Sequence, residues 1–375
     1  MTTQMEIQLI AIIVAIACAL PGVFLVLTKK TMMSDSITHT ILLGIVIAFF
    51  ITHDLTSPLL IIGATLMGVL TVWLTEALSR TNLLAEDASI GVVFPFLFSI
   101  AIILISKYAG AVHLDTDSVL LGELTFAPFA RMKVAGVDIG AKAIYTTGFL
   151  LILNVLATWI FFKELKITTF DPLLAAALGF SPAIVHYGLM TIVSVTAVGS
   201  FQAVGSILVV AFMVGPPVTA YLLTDDLKKM LWLSAFFAAI NAVLGYQVAR
   251  YFDVSIAGCM AIMTGVSFFM VFVLGKERGL ITVLQRRRKQ RIDFAKSTIL
   301  FHLSHHEGQA EELDESCCYT IQDHMHWDVK FTNEIVKALE KENAIEVVGS
   351  CIKLTDYGRQ KSREEYEKLL GLEFA

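Results

Sequence analysis

A series of long apolar segments fills the first 275 residues of this 375-residue chain. A helix needs roughly 20 mostly apolar residues to cross the hydrocarbon core of a bilayer. Nine segments approach that length, at about 7–28, 36–53, 57–78, 88–106, 140–162, 183–199, 203–223, 230–250 and 254–275. The segment 183–199 is short and rich in Ser, Thr and Gly, so eight full spans with one partial helix also fit. The pattern predicts an all-α polytopic membrane protein with about eight or nine transmembrane helices.

Charge divides the sequence into three parts. Residues 1–275 carry 12 basic and 15 acidic side chains, residues 276–291 carry 7 and 1, and residues 292–375 carry 9 and 17. We therefore predict a transmembrane domain at 1–275, a basic juxtamembrane linker at 276–291 and a cytoplasmic domain at 292–375. The strip RRRKQR at 286–291 suits contact with anionic lipid on the inner face of the membrane.

Basic residues in short loops predict the orientation of the spans, because Lys and Arg concentrate on the cytoplasmic side. They follow every second apolar segment: Lys29 and Lys30, Arg80, Lys163 and Lys166, Lys228 and Lys229, and the strip 286–291. This pattern predicts a multi-pass protein of the cell membrane with its N-terminus outside and its C-terminus in the cytoplasm. The long segment 107–139 is nominally outside, yet it also holds three basic residues.

The polar end of the chain shows the pattern of a small α+β domain. Helices are predicted over 292–305 and 329–343, where apolar residues recur at helical spacing. A hairpin is predicted over 345–356, around Gly349 and Ser350, and a charged helix over about 357–370. Helix, two-stranded wing and helix is the order of a winged helix-turn-helix domain.

Asp35 and His39, in the segment SDSITHT at 34–40, are the first side chains suited to bind a ligand. They are four residues apart, so a helix places both on one face about one turn apart. Carboxylate and imidazole together suit a first-row divalent cation such as manganese, zinc or iron. The alternative is structural: Ser34 or Asp35 caps the start of the second span, and His39 forms a hydrogen bond with a neighbouring helix. Two ligands also leave the coordination incomplete.

The predicted cytoplasmic loop 163–182 contains a second candidate. Asp171 followed by Pro172 is typical of the start of a helix, and Gly179 is typical of its end. A short helix between two spans, with an apolar face that includes Leu178, suits contact with a soluble partner that transmits force. A plain connecting helix fits the same residues.

A third segment, 199–229, combines glycines with a proline pair. Gly205 and Gly215 permit close approach of helices. Pro216 and Pro217 predict a break inside an apolar run, and broken helices at membrane depth often line transport sites. A structural kink is the alternative.

Several further polar residues lie in or near the spans, among them Glu76, Asn154 and His186. Each is more typical of an interhelical hydrogen bond or an interface position than of a ligand. The sequence contains no G-x-x-x-x-G-K-[ST], so it has no P-loop for ATP. H-E-x-x-H, G-x-S-x-G and C-x-x-C are absent as well, and we predict no catalytic residues and no enzyme activity.

Six stretches together resemble the membrane permeases of manganese, zinc and iron ABC importers. They are 29–45, 86–106, 114–124, 170–180, 199–224 and 251–265, in the order found in that family. The resemblance implies a fold similar to vitamin B12-type importer permeases, in a dimer with a second copy or a paralogue. It also implies two cytoplasmic ATPase subunits and an extracytoplasmic metal-binding protein as partners. The metal would be a transported substrate, with no permanently bound cofactor.

The resemblance assigns roles to particular residues. Asp35 and His39 match the carboxylate and histidine proposed to line the metal path. The stretch 170–180 matches the coupling helix that docks on the ATPase. The residues it implies for coupling are Asp171, Pro172, Leu178 and Gly179.

Residues 326–370 resemble the winged-helix portion of manganese- and iron-dependent repressors. DNA-binding domains normally concentrate positive charge, whereas residues 292–375 carry 9 basic and 17 acidic side chains, so nucleic acid is not an expected partner. Metal ligands are available in His302, His305, His306, Cys317, Cys318, His324 and His326. Surface histidines of a small domain are the simpler interpretation.

Two functions remain open at this point. The first is the membrane subunit of an ATP-driven metal importer. The second is a protein that works without an ATPase, either as a stand-alone metal secondary transporter or channel or as a membrane-tethered metal-responsive regulator. The missing ATP site is compatible with both.

Overall fold

The computed structural model describes residues 3–54, 57–108, 124–134, 137–276, 278–309, 312–349 and 351–369. The chain forms two compact units, Met1–Gly279 and Leu280–Ala375. A helix of the second unit begins at Leu280, so the predicted basic linker 276–291 is largely helical where it is described. The roles predicted for the three parts of the chain stay predictions.

The first unit consists mainly of helices. They are α1 (Thr3–Leu27), α2 (Thr31–Thr52), α3 (Leu59–Ser79), α4 (Glu86–Tyr108), α5 (Lys142–Ile160), α6 (Phe162–Phe170), α7 (Pro172–Ala177), α8 (Pro182–Val204), α9 (Ser206–Tyr221), α10 (Leu227–Phe252) and α11 (Ile256–Leu274). A small antiparallel hairpin, β1 (Arg131–Val134) and β2 (Val137–Ala141), precedes α5. Within the described ranges, eight of the helices are long and apolar enough to cross a membrane. The prediction of an all-α polytopic membrane protein is confirmed.

The partial helix is α9 rather than the segment 183–199. α9 is apolar but has only 16 residues, whereas 183–199 lies inside the 23-residue α8. Polar side chains do not shorten α8, because their hydroxyls can bond to helix carbonyls; Thr196 Oγ1 donates to the Ile192 carbonyl at 2.7 Å. α8 ends instead at Gly205, whose φ of 81° is readily adopted only by glycine.

The proline pair in α9 does not break the helix, which continues through Pro216 and Pro217. Proline has no N–H group, so Pro217 leaves the carbonyl of Met213 without its usual donor one turn back. That carbonyl lies against Gly22 of α1, where an added Cβ would overlap the oxygen. The predicted break is therefore wrong. α1 packs directly against the carbonyl that Pro217 frees.

α1 forms the centre of the first unit, where it packs against α5, α8, α9 and α10. Its Ile10, Val14 and Phe24 side chains are fully buried. α2 packs mainly against α3 and α4. The tightest point of that contact is Gly44 against Gly63, where a Cβ on either glycine would overlap the other helix. α2, α3 and α4 thus form a closely packed group within the bundle.

The described residues of the second unit form helices and one hairpin. Its elements are α12 (Leu280–His306), α13 (Glu312–Glu315), α14 (Cys318–Met325), α15 (Val329–Lys341), β3 (Ile345–Val348), β4 (Cys351–Leu354) and α16 (Asp356–Leu369). β3 and β4 pair antiparallel, with Ile345 opposite Leu354. A disulfide joins Cys317 to Cys351. The predicted helices and hairpin are present, although α12 is much longer than the predicted 292–305. The resemblance to repressors stays a prediction.

The core of the second unit lies between its helices and the hairpin. Ile299 and Leu300 of α12, Ile335 and Leu339 of α15, and Ile352 of β4 are buried in one cluster. α16 packs back on α12. This core fixes α12, α14 and α15 relative to one another.

Candidate metal path and coupling helix

Asp35 and His39 lie on one face of α2, as their spacing predicts. His39 Nε2 is 3.5 Å from Asp35 Oδ1, and the side chains of His39 and Asp35 are 23% and 44% exposed, respectively. Neither is the N-cap of α2, because the helix begins at Thr31 after Lys30. The alternative in which Asp35 caps the helix is therefore wrong. The Asp35 carboxylate and the His39 imidazole are therefore adjacent, and both are partly exposed.

The ring of His39 is held by two aromatic side chains of α4. Its centroid lies 5.1 Å from that of Phe94 and 5.8 Å from that of Phe98, and the Phe98 contact is edge-to-face. Such contacts restrict the imidazole without using its nitrogens. In the described ranges, no third His, Cys, Asp or Glu joins this pair to form a complete metal-binding group. The pair offers a partial ligand set.

The predicted short helix in the loop 163–182 is α7. The Asp171 side chain accepts a hydrogen bond from the Leu174 N–H at 2.9 Å, and Pro172 occupies the first turn, where its missing N–H does no harm. Gly179 has a φ of +87° just beyond the end of the helix, as helix termination often requires. The sequence signals at both ends of α7 thus correspond to real caps.

α7 presents apolar side chains to the exterior of the described chain. Leu173, Leu174 and Leu178 are 84%, 49% and 60% exposed, and Phe170 and Phe180 on either side are exposed as well. A contiguous exposed apolar surface is typical of a region that contacts a partner.

α7 is connected directly to α8. Only residues 178–181 separate the two helices, and the Ser181 side chain caps the start of α8. α6 leads into α7 on the other side, through Asp171. Because the connection is so short, a displacement of α7 would also move the first turns of α8.

An ionic cluster ties the start of α8 to α2 and α3. Glu76, near the end of α3, has a side chain only 12% exposed. Its Oε1 lies 2.8 Å from Lys30 Nζ and 2.5 Å from His186 Nε2. Its Oε2 accepts a hydrogen bond from the Tyr187 hydroxyl at 2.9 Å. One carboxylate therefore joins the residue that precedes α2 with the first turns of α8.

The sequence analysis names members of this cluster separately and does not predict that they meet. Glu76 and His186 are predicted only as separate interhelical contacts, and Lys30 is used only for orientation. A signal was available, because Lys30 and Glu76 have opposite charges at the same predicted side of the membrane. For Asn154 the prediction holds, because its Nδ2 donates to the Ala17 carbonyl at 2.8 Å and to Thr196 Oγ1 at 2.9 Å.

A family comparison decides the class of the protein. The profile of the ABC 3 transport family matches residues 2–275. The chain belongs to the ABC 3 transport family. Membership favours the ABC permease over a stand-alone transporter or channel, and it makes the chain a multi-pass membrane protein. Of the six stretches that carry the resemblance, 114–124 falls almost wholly outside the described residues.

Relatives of this chain include metal transport proteins. The chain is 40% identical over 354 residues to the zinc transport system membrane protein TroD of Treponema pallidum, covering 94% of this chain and 96% of the relative. It is 45% identical over 271 residues to the manganese transport system membrane protein MntD of Bacillus subtilis, covering 72% and 92%. The first alignment is longer than the first unit, so it extends into the second.

A solved structure shares the fold of the ABC 3 permease unit. The structure of PsaBC from Streptococcus pneumoniae in complex with Fab matches with a TM-score of 0.62 and 28% identity, covering 74% of this chain and 94% of the other. The predicted ABC-importer permease fold is confirmed.

Proposed function

We propose that this chain is the membrane permease subunit of an ABC importer for a divalent transition metal: manganese, zinc or iron. The observation that carries the proposal is the Asp35–His39 pair, with 3.5 Å between Nε2 and Oδ1, in a chain of the ABC 3 transport family. Carboxylate oxygen and imidazole nitrogen together bind all three metals. The relatives named for zinc and manganese transport support the same substrate class.

An incomplete ligand set suits transport. A transported ion must be bound strongly enough to enter and weakly enough to leave. Asp35 and His39 provide two ligand groups on a partly exposed surface, so a second permease subunit can add ligands from its own face. We therefore propose a dimer, formed by a second copy of this chain or by a paralogue. The metal is the substrate, and no permanent cofactor is proposed.

The work for transport comes from a separate ATPase. The sequence has no P-loop, so ATP must be bound by another subunit. α7 is the proposed docking element, because its leucines are exposed and an apolar helix face fits a groove on a partner. Asp171 and Pro172 start this helix, and Leu178 and Gly179 end it. An extracytoplasmic metal-binding protein is the proposed source of the metal.

The Glu76 cluster is the proposed connection between the docking helix α7 and the Asp35–His39 pair. Movement of α7 acts on α8, which carries His186 and Tyr187. Both side chains contact Glu76, which also holds Lys30 at the start of α2. Asp35 lies little more than one turn further along α2. Basic residues in alternate loops support a cytoplasmic location for α7 and for the C-terminus.

Reconstitution tests the proposal. The chain is placed in proteoliposomes with its ATPase subunit, the metal-binding protein is supplied outside, and uptake of Mn²⁺, Zn²⁺ and Fe²⁺ is measured in competition. We expect uptake of at least one metal that requires ATP and both partners. Uptake by the chain alone, without ATP, would instead support a stand-alone transporter.

A further inference from the structure

Three side chains that can bind a metal converge in the second unit, away from the Asp35–His39 pair in sequence. His302 lies in α12, Glu315 ends α13 and His324 lies in α14. Glu315 Oε2 is 3.1 Å from His324 Nδ1 and 3.5 Å from His302 Nε2. The three ligand atoms all lie within 4.8 Å of one another. Three helices thus bring two imidazoles and one carboxylate to a single point.

The cluster is partly withdrawn from solvent. The side chains of His302 and Glu315 are 9% and 18% exposed, and that of His324 is 46% exposed. Among the described residues, buried Glu315 Oε2 receives no hydrogen bond of good geometry, although the ring nitrogens of His324 and His302 lie 3.1 and 3.5 Å away. A buried carboxylate oxygen without a donor is unfavourable. A bound cation would satisfy it.

The spacing suits one first-row ion. Zinc lies about 2.0–2.2 Å from imidazole nitrogen and carboxylate oxygen, so two ligand atoms around a tetrahedral ion are roughly 3.4 Å apart. The distances of 3.1 and 3.5 Å from Glu315 to the two histidines are close to this value. His302 Nε2 also contacts the Glu315 carbonyl at 3.1 Å. Metal binding at Nε2 would replace this contact, and the proton of the neutral imidazole would then sit on Nδ1.

We propose that His302, Glu315 and His324 form a binding site for a first-row divalent cation in the second unit. Two imidazoles and one carboxylate form a known open zinc ligand set, with the fourth position left for water. Among Mn²⁺, Fe²⁺ and Zn²⁺, the site should bind Zn²⁺ most tightly. His306 is a further candidate ligand: its ring lies 4.8 Å from that of His302, and within the described part of the chain its buried Nδ1 forms no hydrogen bond.

The test uses the full chain, purified in detergent and freed of metal. All variants are made in a chain that already carries Asp35→Asn and His39→Gln, which is called the background chain. The proposed metal path then adds no binding signal. The experiment also does not depend on transport. Zn²⁺ binding is followed by calorimetry, and Co²⁺ is added separately because its visible spectrum reports tetrahedral nitrogen and oxygen ligands. His324→Gln is the main variant, since the most exposed ligand disturbs folding least. His305→Gln is the matched control, an exposed histidine of the same helix as His302.

We expect the background chain to bind one Zn²⁺ at this site and to give a tetrahedral Co²⁺ spectrum. His324→Gln and Glu315→Gln should each weaken Zn²⁺ binding by roughly tenfold or more and abolish that spectrum. His305→Gln should leave both unchanged. Equal Zn²⁺ affinity in the background, His324→Gln and Glu315→Gln chains would overturn the proposal, as would an octahedral Co²⁺ spectrum in the background chain.

Discussion

Lys30 Nζ lies 2.8 Å from Glu76 Oε1, which ties the residue before α2 to the end of α3. The same oxygen contacts His186 at the start of α8. One carboxylate, only 12% exposed, therefore connects the end of α3 with the starts of α2 and α8. This junction lies between the exposed helix α7 and the Asp35–His39 pair along the proposed route of coupling.

Removing the charge of Glu76 tests that route. Glu76→Gln keeps the shape but weakens the contacts with Lys30 and His186, and we expect about 1–3 kcal/mol of lost stability. Metal uptake per ATP hydrolysed should fall several-fold, because movement of α8 no longer carries α2 with it. The measurement is uptake and ATP hydrolysis on the same proteoliposomes.

Glu86→Gln is the control for this variant. Glu86 is 3.6 Å from Lys30, and its side chain is 43% exposed, so its loss should have a much smaller effect. Equal uptake per ATP in the Glu76→Gln and parent proteins would remove Glu76 from the coupling route.

The exposed leucines of α7 provide a second test. Leu173 is 84% exposed, so Leu173→Glu should leave folding intact and place a charge on the proposed docking face. We expect reduced co-purification of the ATPase and a parallel loss of uptake, while Leu173→Met behaves like the parent. If Leu173→Glu still binds the ATPase and transports normally, α7 is a plain connector.

Helix packing supplies a prediction about stability. A Cβ added at Gly22 would overlap the Met213 carbonyl, whereas a Cβ at Gly265 of α11 would meet no atom of the described residues within 4 Å. Gly22→Ala should therefore destabilise the first unit by about 1–3 kcal/mol through overpacking. Gly265→Ala should be neutral or slightly stabilising, because alanine favours helix. Thermal unfolding in detergent compares the two, and similar melting temperatures would show that α1 and α9 are not in close contact.

The second unit should show a pH-dependent ion pair. Glu342 lies 2.6 Å from Lys296 of α12 and 2.7 Å from Lys361 of α16, and hydrogen bonds from these lysines lower the pKa of Glu342 below its ordinary value. The contribution of ionised Glu342 to the stability of the second unit is therefore fully present above the ordinary carboxyl pKa. It is lost as the pH falls through the lowered pKa of the folded state. Solvent screens this partly exposed group, so about 0.5 kcal/mol is expected.

Amide hydrogen exchange in α12 and α16 of the full chain measures this effect. Glu342→Gln should speed exchange at neutral pH, and the difference from the parent should vanish in acid. Glu340→Gln is the control, because Glu340 is an exposed carboxylate of α15 only two residues before Glu342; it should exchange like the parent. A difference between parent and Glu342→Gln that persists in acid would show that the effect is not electrostatic.

Much of the first unit could be predicted from the sequence. Span length and apolar composition are local properties, so α1 to α5, α8, α10 and α11 follow from them directly. The ends of α7 were predictable as well, because Asp171, Pro172 and Gly179 act on the backbone next to them. The Asp35–His39 contact follows from helical spacing alone.

What the sequence could not supply depends on neighbouring helices. Pro216 and Pro217 remain within α9, and Gly22 of α1 lies against the Met213 carbonyl that Pro217 frees; no local rule contains this contact. The Glu76 cluster likewise requires α2, α3 and α8 to meet at one end.

The candidate cation site of the second unit could not be predicted from the sequence for the same reason. Its ligands come from three helices and have no recognisable spacing, so only the packing of α12, α13 and α14 brings them together.

Uptake by variants of Asp35 and His39 shows whether these two side chains lie on the path of the metal. Asp35→Asn and His39→Gln are each reconstituted with the ATPase and the metal-binding protein, and ATP-driven uptake is compared with the parent and with His53→Asn, an exposed imidazole at the other end of α2. We predict that both pair variants lose most uptake while their amount in the membrane and their ATPase binding stay unchanged, and that His53→Asn transports normally. Full uptake by both pair variants would exclude Asp35 and His39 as ligands on the transport path, because the metal would then cross elsewhere.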